Sequence, residues 1–208
     1  MKPMKTAAFV LCLTASWMGA SPLLAAEPGD YFPAAEGMKW TYEYLKADPG
    51  KTGKMTRTVE CLSQKPGDKG NQLAEMDVTE LGFTSRQTFS LDAQSVDHTQ
   101  SGSKAYSGDF VFKLPPQKGI SQWTVTEGDG TIHKCKAAFG KAQVYKKTFP
   151  HCVVVTEKIV KKGAVQNTVI YYYAKGIGLV AMEVYSSKMK LILPESLALL
   201  TGPASSKP

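Results

Sequence analysis

The chain has 208 residues, of which 43% are hydrophobic, and 25 Lys and Arg stand against 18 Asp and Glu for a formal net charge of +7. The bases are dispersed, as the pairs Lys146-Lys147 and Lys161-Lys162 and as singles in turns, which suits solubility and an anionic surface but excludes the clustered stripe of a nucleic-acid binder. Beyond the first 26 residues no stretch reads as a spanning helix, which needs about 20 predominantly apolar residues.

The chain opens with Lys2 and Lys5, an apolar run from Ala7 to Leu13 and the small-residue stretch Leu24-Ala25-Ala26. A basic start, a short apolar middle and a terminal Ala predict a secretory signal peptide over 1–26, cut between Ala26 and Glu27. Thr14, Ser16, Gly19, Ser21 and Pro22 interrupt the run too often for an anchor. Cys12 is expected to leave with the peptide, and so are Lys2 and Lys5, which takes the net charge from +7 to +5. The expected location is periplasmic or secreted. One β domain is expected over 27–201, followed by a small, polar, frayed tail over 202–208.

From Trp40 onward the apolar side chains alternate, the pattern of strands rather than of helices. Trp40, Tyr42 and Tyr44 share one face. Further runs follow at Met55, Val59 and Cys61; Ala74, Met76 and Val78; Phe83, Phe89 and Leu91; and Phe110, Phe112 and Leu114. The second half continues with Trp123 and Val125, Cys135 and Ala137, Val153 and Val155, Val169, Tyr171 and Tyr173, Val180, Met182 and Val184, and Met189, Leu191 and Leu193. These make about ten or eleven strands. Asp48-Pro49-Gly50, Pro66-Gly67-Asp68, Gly128-Asp129-Gly130, Lys162-Gly163 and Lys175-Gly176-Ile177-Gly178 supply turn chemistry between them. Spacings this short favour hairpins and hence a mainly antiparallel sheet. The one helix candidate is Pro194 to Leu200. Residues 152–160 and 168–174 carry apolar or aromatic groups on both faces and are expected to be central strands.

A sheet without helices must bury its apolar face on a second sheet or on itself. The expected fold class is therefore all-β, a curled antiparallel sheet of half-barrel or barrel-like form, with a sandwich as the other solution. Pro33, Gly37 and Trp40 are echoed by Pro115, Gly119 and Trp123, which suggests two related halves, 31–110 and 111–194.

Three cysteines follow the signal peptide, and an exported chain permits at most one bridge among them. Cys135 with Cys152 is the expected disulfide, with Cys61 paired to either as the alternative. His133, Cys135 and Cys152, with His151 nearby, are the residue types of a zinc or copper site and define an alternative metal or redox reading. Catalytic signatures are absent: there is no G-x-S-x-G, H-E-x-x-H or phosphate loop, and Gly176-Ile177-Gly178 has no helix after it. The expected protein is no enzyme and takes no cofactor. The aromatic surplus, Trp40, Tyr42, Tyr44, Trp123, Tyr171 and Tyr173, is instead suited to lining a cavity for an apolar or lipid-like ligand. The partner is then such a ligand or a cell-envelope protein, and a structural envelope subunit without ligand is the third reading.

Tyr172-Tyr173-Ala174-Lys175-Gly176-Ile177-Gly178-Leu179-Val180, together with Tyr31-Phe32-Pro33, Gly37 and Trp40-Thr41-Tyr42, resembles a broad group of uncharacterised exported bacterial proteins. Phe149, Cys152 and Val153 to Val155 stand where that group has a Cys-containing strand. The resemblance implies a curled antiparallel sheet and carries no activity. More distantly, the chain is similar to periplasmic lipoprotein carriers, which curl such a sheet around acyl chains and close it with helices. This sequence has no helix of useful length for that purpose.

Overall fold

The computed structural model describes residues 26–45, 55–116, 118–193 and 196–202, and within these the side chains of 106–110 are left aside. Residues 1–25 of the expected signal peptide, the turn expected at Asp48-Pro49-Gly50 and the expected tail from 203 lie outside the described residues. One short helix, α1 (Pro28–Tyr31), precedes twelve strands: β1 (Lys39–Tyr44), β2 (Thr56–Pro66), β3 (Gln72–Glu80), β4 (Phe83–Leu91), β5 (Ser95–Ser101), β6 (Lys104–Lys113), β7 (Ser121–Thr126), β8 (Ile132–Val144), β9 (Lys147–Lys161), β10 (Ala164–Ala174), β11 (Gly178–Ser186) and β12 (Leu197–Thr201).

All twelve form one antiparallel sheet in the order β6-β5-β4-β3-β2-β1-β12-β11-β10-β9-β8-β7. Each hairpin partner is thus a sequence neighbour, and the first and last strands pair at the centre, with Tyr44 opposite Leu197. The outer strands β6 and β7 have no ladder between them and leave an open seam, where the Ser121 hydroxyl donates to the Leu114 carbonyl at 2.7 Å. The fold is therefore an open, curled up-and-down sheet, as the alternation predicts.

The curl follows from distance. Strands lie about 4.8 Å apart, so β6 and β10, eight places apart in the order, would be roughly 38 Å apart in a flat sheet. Instead the rings of Phe112 on β6 and Tyr173 on β10 are 4.9 Å apart. One apolar core gathers side chains from around the sheet, including Trp40, Cys61, Ala74, Phe89, Val96, Phe112, Ala137, Val155, Tyr173 and Leu197.

One end of this curled sheet is plugged by the N-terminal segment. The Gly176 N–H donates to the Asp30 carbonyl at 2.6 Å, and Lys175 pairs with the Asp30 carboxylate at 3.2 Å. Phe32 packs on Phe89 with rings 5.1 Å apart, and Trp40 donates its indole N–H to the Ile177 carbonyl at 2.6 Å. Gly178 sits at φ 94°, a conformation that disfavours side chains, and its ideal Cβ would stand 3.5 Å from Pro33 and from the Trp40 nitrogen. Glycine here permits both the turn and the close approach. Among the described residues no comparable segment crosses the other end, where the β3–β4, β7–β8 and β9–β10 turns and the β11–β12 connection lie.

The β8–β9 hairpin is longer than its neighbours, and beyond a register shift between Gly140 and Ala142 its tip folds over the outside of the sheet. There Ala142, Val144 and Phe149 pack with Cys152, Ala174, Val180 and Ala198 in a second apolar cluster. The Tyr145 hydroxyl at the tip hydrogen-bonds to Glu43.

The structure corrects the sequence reading in three places. Leu197–Thr201 is a strand between β1 and β11, so the helix expected over 194–200 does not form there; Leu197, Ala198 and Leu199 carry apolar groups to both faces, and tertiary pairing overrides the Pro signal. The alternating run at 189–193 makes one isolated bridge, Tyr185 to Leu191, rather than a strand. Conversely, the polar segment Ser95–Ser101 is a strand, with Val96 in register with Leu91 and Phe112. The two Pro-Gly-Trp segments do lead into β1 and β7, each the first of six strands, but Gly37 has φ 81° while Gly119 stays outside the left-handed region. Among the described residues no helix is long and apolar enough to cross a membrane.

A local test of the β4–β5 turn is available at Asp92. Burial raises its pKa, but the Gln94 N–H, the Ser95 hydroxyl and the Ser95 N–H all donate to its carboxylate, each at 2.7 Å, and hold it below the usual carboxylate range overall. A depressed folded pKa stabilises above the unfolded value, near 3.9, and the contribution is lost as pH falls through the folded one. Asp92→Ala is expected to cost about 1 kcal/mol at neutral pH, a low figure because the group is solvent-exposed. Urea unfolding of both proteins at descending pH should show that difference shrink through the acid range.

Candidate functional site

The concave face encloses a cavity of about 380 Å³. Its inner end abuts the plug at Phe32, Pro33, Trp40 and Leu179, and its walls are Val59, Met76, Val78, Val155, Met182 and Leu197. Alternation explains the lining: in register, Trp40 faces Val59 and Val59 faces Val78, so one row of apolar side chains runs across three strands on the same face.

Toward the open end the lining turns polar, with Arg57, Gln87, His133, Glu157 and Tyr171, while His98 lines the cavity nearer the plug, its ring stacked on Phe89 at 5.2 Å. Glu157 on β9 organises one side of this group. One carboxylate oxygen lies 2.5 Å from His133 Nδ1 and the other accepts from the Tyr171 hydroxyl at 2.8 Å. Across the ring, His133 Nε2 is 3.3 Å from a carboxylate oxygen of Glu127 in the β7–β8 turn. Burial, then the Glu157 charge, pushes the Tyr171 phenol well above its ordinary pKa. Burial also raises the phenols of Tyr42 and Tyr173, against a smaller lowering by Arg57. All three therefore remain neutral hydroxyls at neutral pH. The arrangement is an apolar chamber with a few convergent hydrogen-bonding groups at its mouth, which can bury a hydrocarbon body and orient one polar end.

Of the six aromatic residues expected to line a cavity, Trp40, Tyr42, Tyr171 and Tyr173 do so. Tyr44 is carried past it toward the open end, where its hydroxyl donates to Glu80 and its pKa is pushed up to about 12 by burial and by that carboxylate. Trp123 is buried in the core beside the cavity, opposite Cys135 in register. Arg57, Gln87 and Glu157 were not anticipated, yet each shares its parity with a predicted apolar run: Arg57 with Val59, Gln87 with Phe89, and Glu157 with Val153 and Val155. A polar residue interrupting an apolar face is the signal that could have found them.

The cysteine expectations need correction. Among the described residues no disulfide joins Cys61, Cys135 or Cys152. Cys135 lies opposite Glu157, and Cys152 lies opposite Gly140, on the same β8–β9 ladder. Five residues of β9 separate these positions, about 17 Å of strand, and an odd spacing turns the side chains to opposite faces. Accordingly Cys135 lines the cavity while Cys152 packs in the outer cluster. The same geometry divides the proposed metal set, since His133 and Cys135 share the cavity and Cys152 does not. Among the described residues no group of three His, Cys, Asp or Glu is placed to hold a metal ion.

Thiol labelling checks this placement. Cys61 and Cys152 are 0% exposed, and burial raises both thiol pKa values, so a maleimide is expected to modify Cys135 first and the other two only on unfolding. Unfolded, unreduced protein should take up label at all three positions, whereas a Cys135–Cys152 bridge would leave only Cys61 reactive.

No protein-family model and no curated protein matches the chain. It is similar to two solved structures. One is a protein of Bacteroides fragilis with a YmcC-like fold, assigned as exported, at 12% identity and a TM-score of 0.47, covering 81% of this chain and 96% of that one. The other, from Parabacteroides distasonis and assigned as a lipoprotein, has 12% identity and a TM-score of 0.46 and covers 83% and 97% of the two chains.

Proposed function

We propose that this is a non-enzymatic exported protein of the periplasm or cell envelope that binds one apolar or lipid-like molecule inside its curled sheet. The carrying observation is the cavity of about 380 Å³, apolar along its walls and polar at its outer end. Small-molecule sites run from roughly 300 to 1,000 Å³, so this one suits a single-chain amphiphile rather than several chains. The hydrocarbon would lie along Val59, Met76, Val155 and Met182, and its polar end would meet Arg57, Gln87, His133 and Tyr171. Export rests on the basic, apolar and small-residue pattern of residues 1–26.

The test has two arms. Protein purified from its native envelope is extracted with organic solvent and the extract analysed by mass spectrometry, and delipidated protein is titrated with the fluorescent fatty acid cis-parinaric acid. The expected result is one saturable site and a co-purifying single-chain lipid. An empty extract together with non-saturable fluorescence would overturn the proposal.

A further inference from the structure

The open end of the sheet carries a set of side chains that the ligand reading does not use. Phe83 is 81% exposed, Leu81 63% and Met189 60%, and Val165 is also exposed. Single exposed apolar residues are ordinary on a soluble protein. Ile120, Phe139, Tyr145 and Leu200 are exposed elsewhere on the sheet, whereas Leu81, Phe83, Val165 and Met189 share one end of it. Leu81 and Phe83 flank Gly82 in the β3–β4 turn, Val165 follows the β9–β10 turn, and Met189 tips the β11–β12 connection. Topology brings all three segments to the same end, opposite the plug. Leu81 and Met189 are held at positive φ, 52° and 57°, a conformation that costs non-glycine residues energy, so two of these turns keep a large apolar side chain at the apex in spite of strain.

Charge accompanies them. Met189 lies between Lys188 and Lys190, and Val165 follows Lys158, Lys161 and Lys162, all of them exposed. Lys161 is paired with Asp129 at 2.8 Å; the acidic groups at this end are Glu127 and Asp129 of the β7–β8 turn and Glu80 beside Leu81, while Glu157, next to Lys158, lines the cavity. The balance of the two segments is positive. Apolar tips that can enter the headgroup boundary, interleaved with lysines that meet anionic headgroups, form a membrane-surface pattern. A protein partner would be better served by a contiguous buried core than by separated tips around a rim.

We propose that the open end docks on the surface of an anionic phospholipid bilayer, with Leu81, Phe83, Val165 and Met189 entering the interface and Lys162, Lys188 and Lys190 meeting the headgroups. Docked in this way, the polar mouth of the cavity faces the lipid, and an apolar ligand passes between bilayer and cavity without crossing bulk water. The docking surface is outside the cavity lining, so its test is independent of whether the cavity binds a ligand.

Purified protein is floated with vesicles of phosphatidylcholine alone and of phosphatidylcholine mixed with phosphatidylglycerol. Wild-type protein is expected to float with the anionic vesicles and to lose binding at high salt. Phe83→Ser is expected to weaken binding by about tenfold, and Lys188→Gln with Lys190→Gln by about fivefold per lysine. All variants should keep the wild-type Tm, since these side chains are exposed. Absence of flotation, equal binding to both vesicle types, or variants that float like wild type would each overturn the proposal. So would a concentration-dependent dimer, seen by size exclusion and abolished by Phe83→Ser, which would assign the tips to a second copy of the chain.

Discussion

Trp40→Ala is expected to lower stability by about 3–5 kcal/mol, the range for removing a fully packed aromatic. Trp40 is 3% exposed, and it joins the plug, the β10–β11 turn and the central strand pair. Its indole N–H is bonded to the Ile177 carbonyl at 2.6 Å, and its ring lies near Gly178 and Gly202. The substitution leaves a cavity at the closed end and a partly buried carbonyl without its donor, and each carries its own cost. Against a typical total of about 5–15 kcal/mol, the loss is a large share. Trp40→Phe keeps most of the packing and removes only the donor, so it should cost about 1–2 kcal/mol. Urea unfolding of the three proteins measures both values. A loss below about 1 kcal/mol for the Ala variant would show that the plug does not depend on this residue.

Filling the cavity is expected to abolish ligand uptake while leaving the fold in place. Val59 lies on β2 between Trp40 and Val78 and faces the chamber. Val59→Trp places an indole in a volume of about 380 Å³ and suits a strand by propensity. The expected outcome is at least a tenfold fall in cis-parinaric acid affinity, a loss of about 1.4 kcal/mol or more. Overpacking should lower stability by about 1–3 kcal/mol, which unfolding measurements separate from the binding defect. Unchanged affinity in a folded variant would move the probe site out of this cavity. Bound probe should also slow maleimide labelling of Cys135, whose side chain lines the same space.

The polar mouth shows how far alternation alone could be read. Period-two counting places Arg57, Gln87 and Glu157 on the apolar faces of β2, β4 and β9, and the structure puts all three at the cavity. What parity cannot give is their company. His133, Glu157 and Tyr171 come from β8, β9 and β10 and meet because those strands are adjacent in register. The cysteines illustrate the opposite case. Cys135 and Cys152 fit a disulfide by compartment and count, yet the β8–β9 register separates them along the ladder and turns them to opposite faces.

Side-chain alternation and turn chemistry by themselves determined that the chain forms a helix-poor antiparallel sheet that must curl to bury its apolar face, because each is a local property of a few consecutive residues. They also marked Trp40, Tyr42, Tyr171 and Tyr173 for its concave side. Only the tertiary structure decided that β12 closes on β1 while β6 and β7 stay unpaired, that residues 28–38 plug one end, and that exposed apolar tips gather at the other. Those outcomes depend on pairing between segments far apart in the chain, where register and sheet order, rather than any local preference, set which side chains meet.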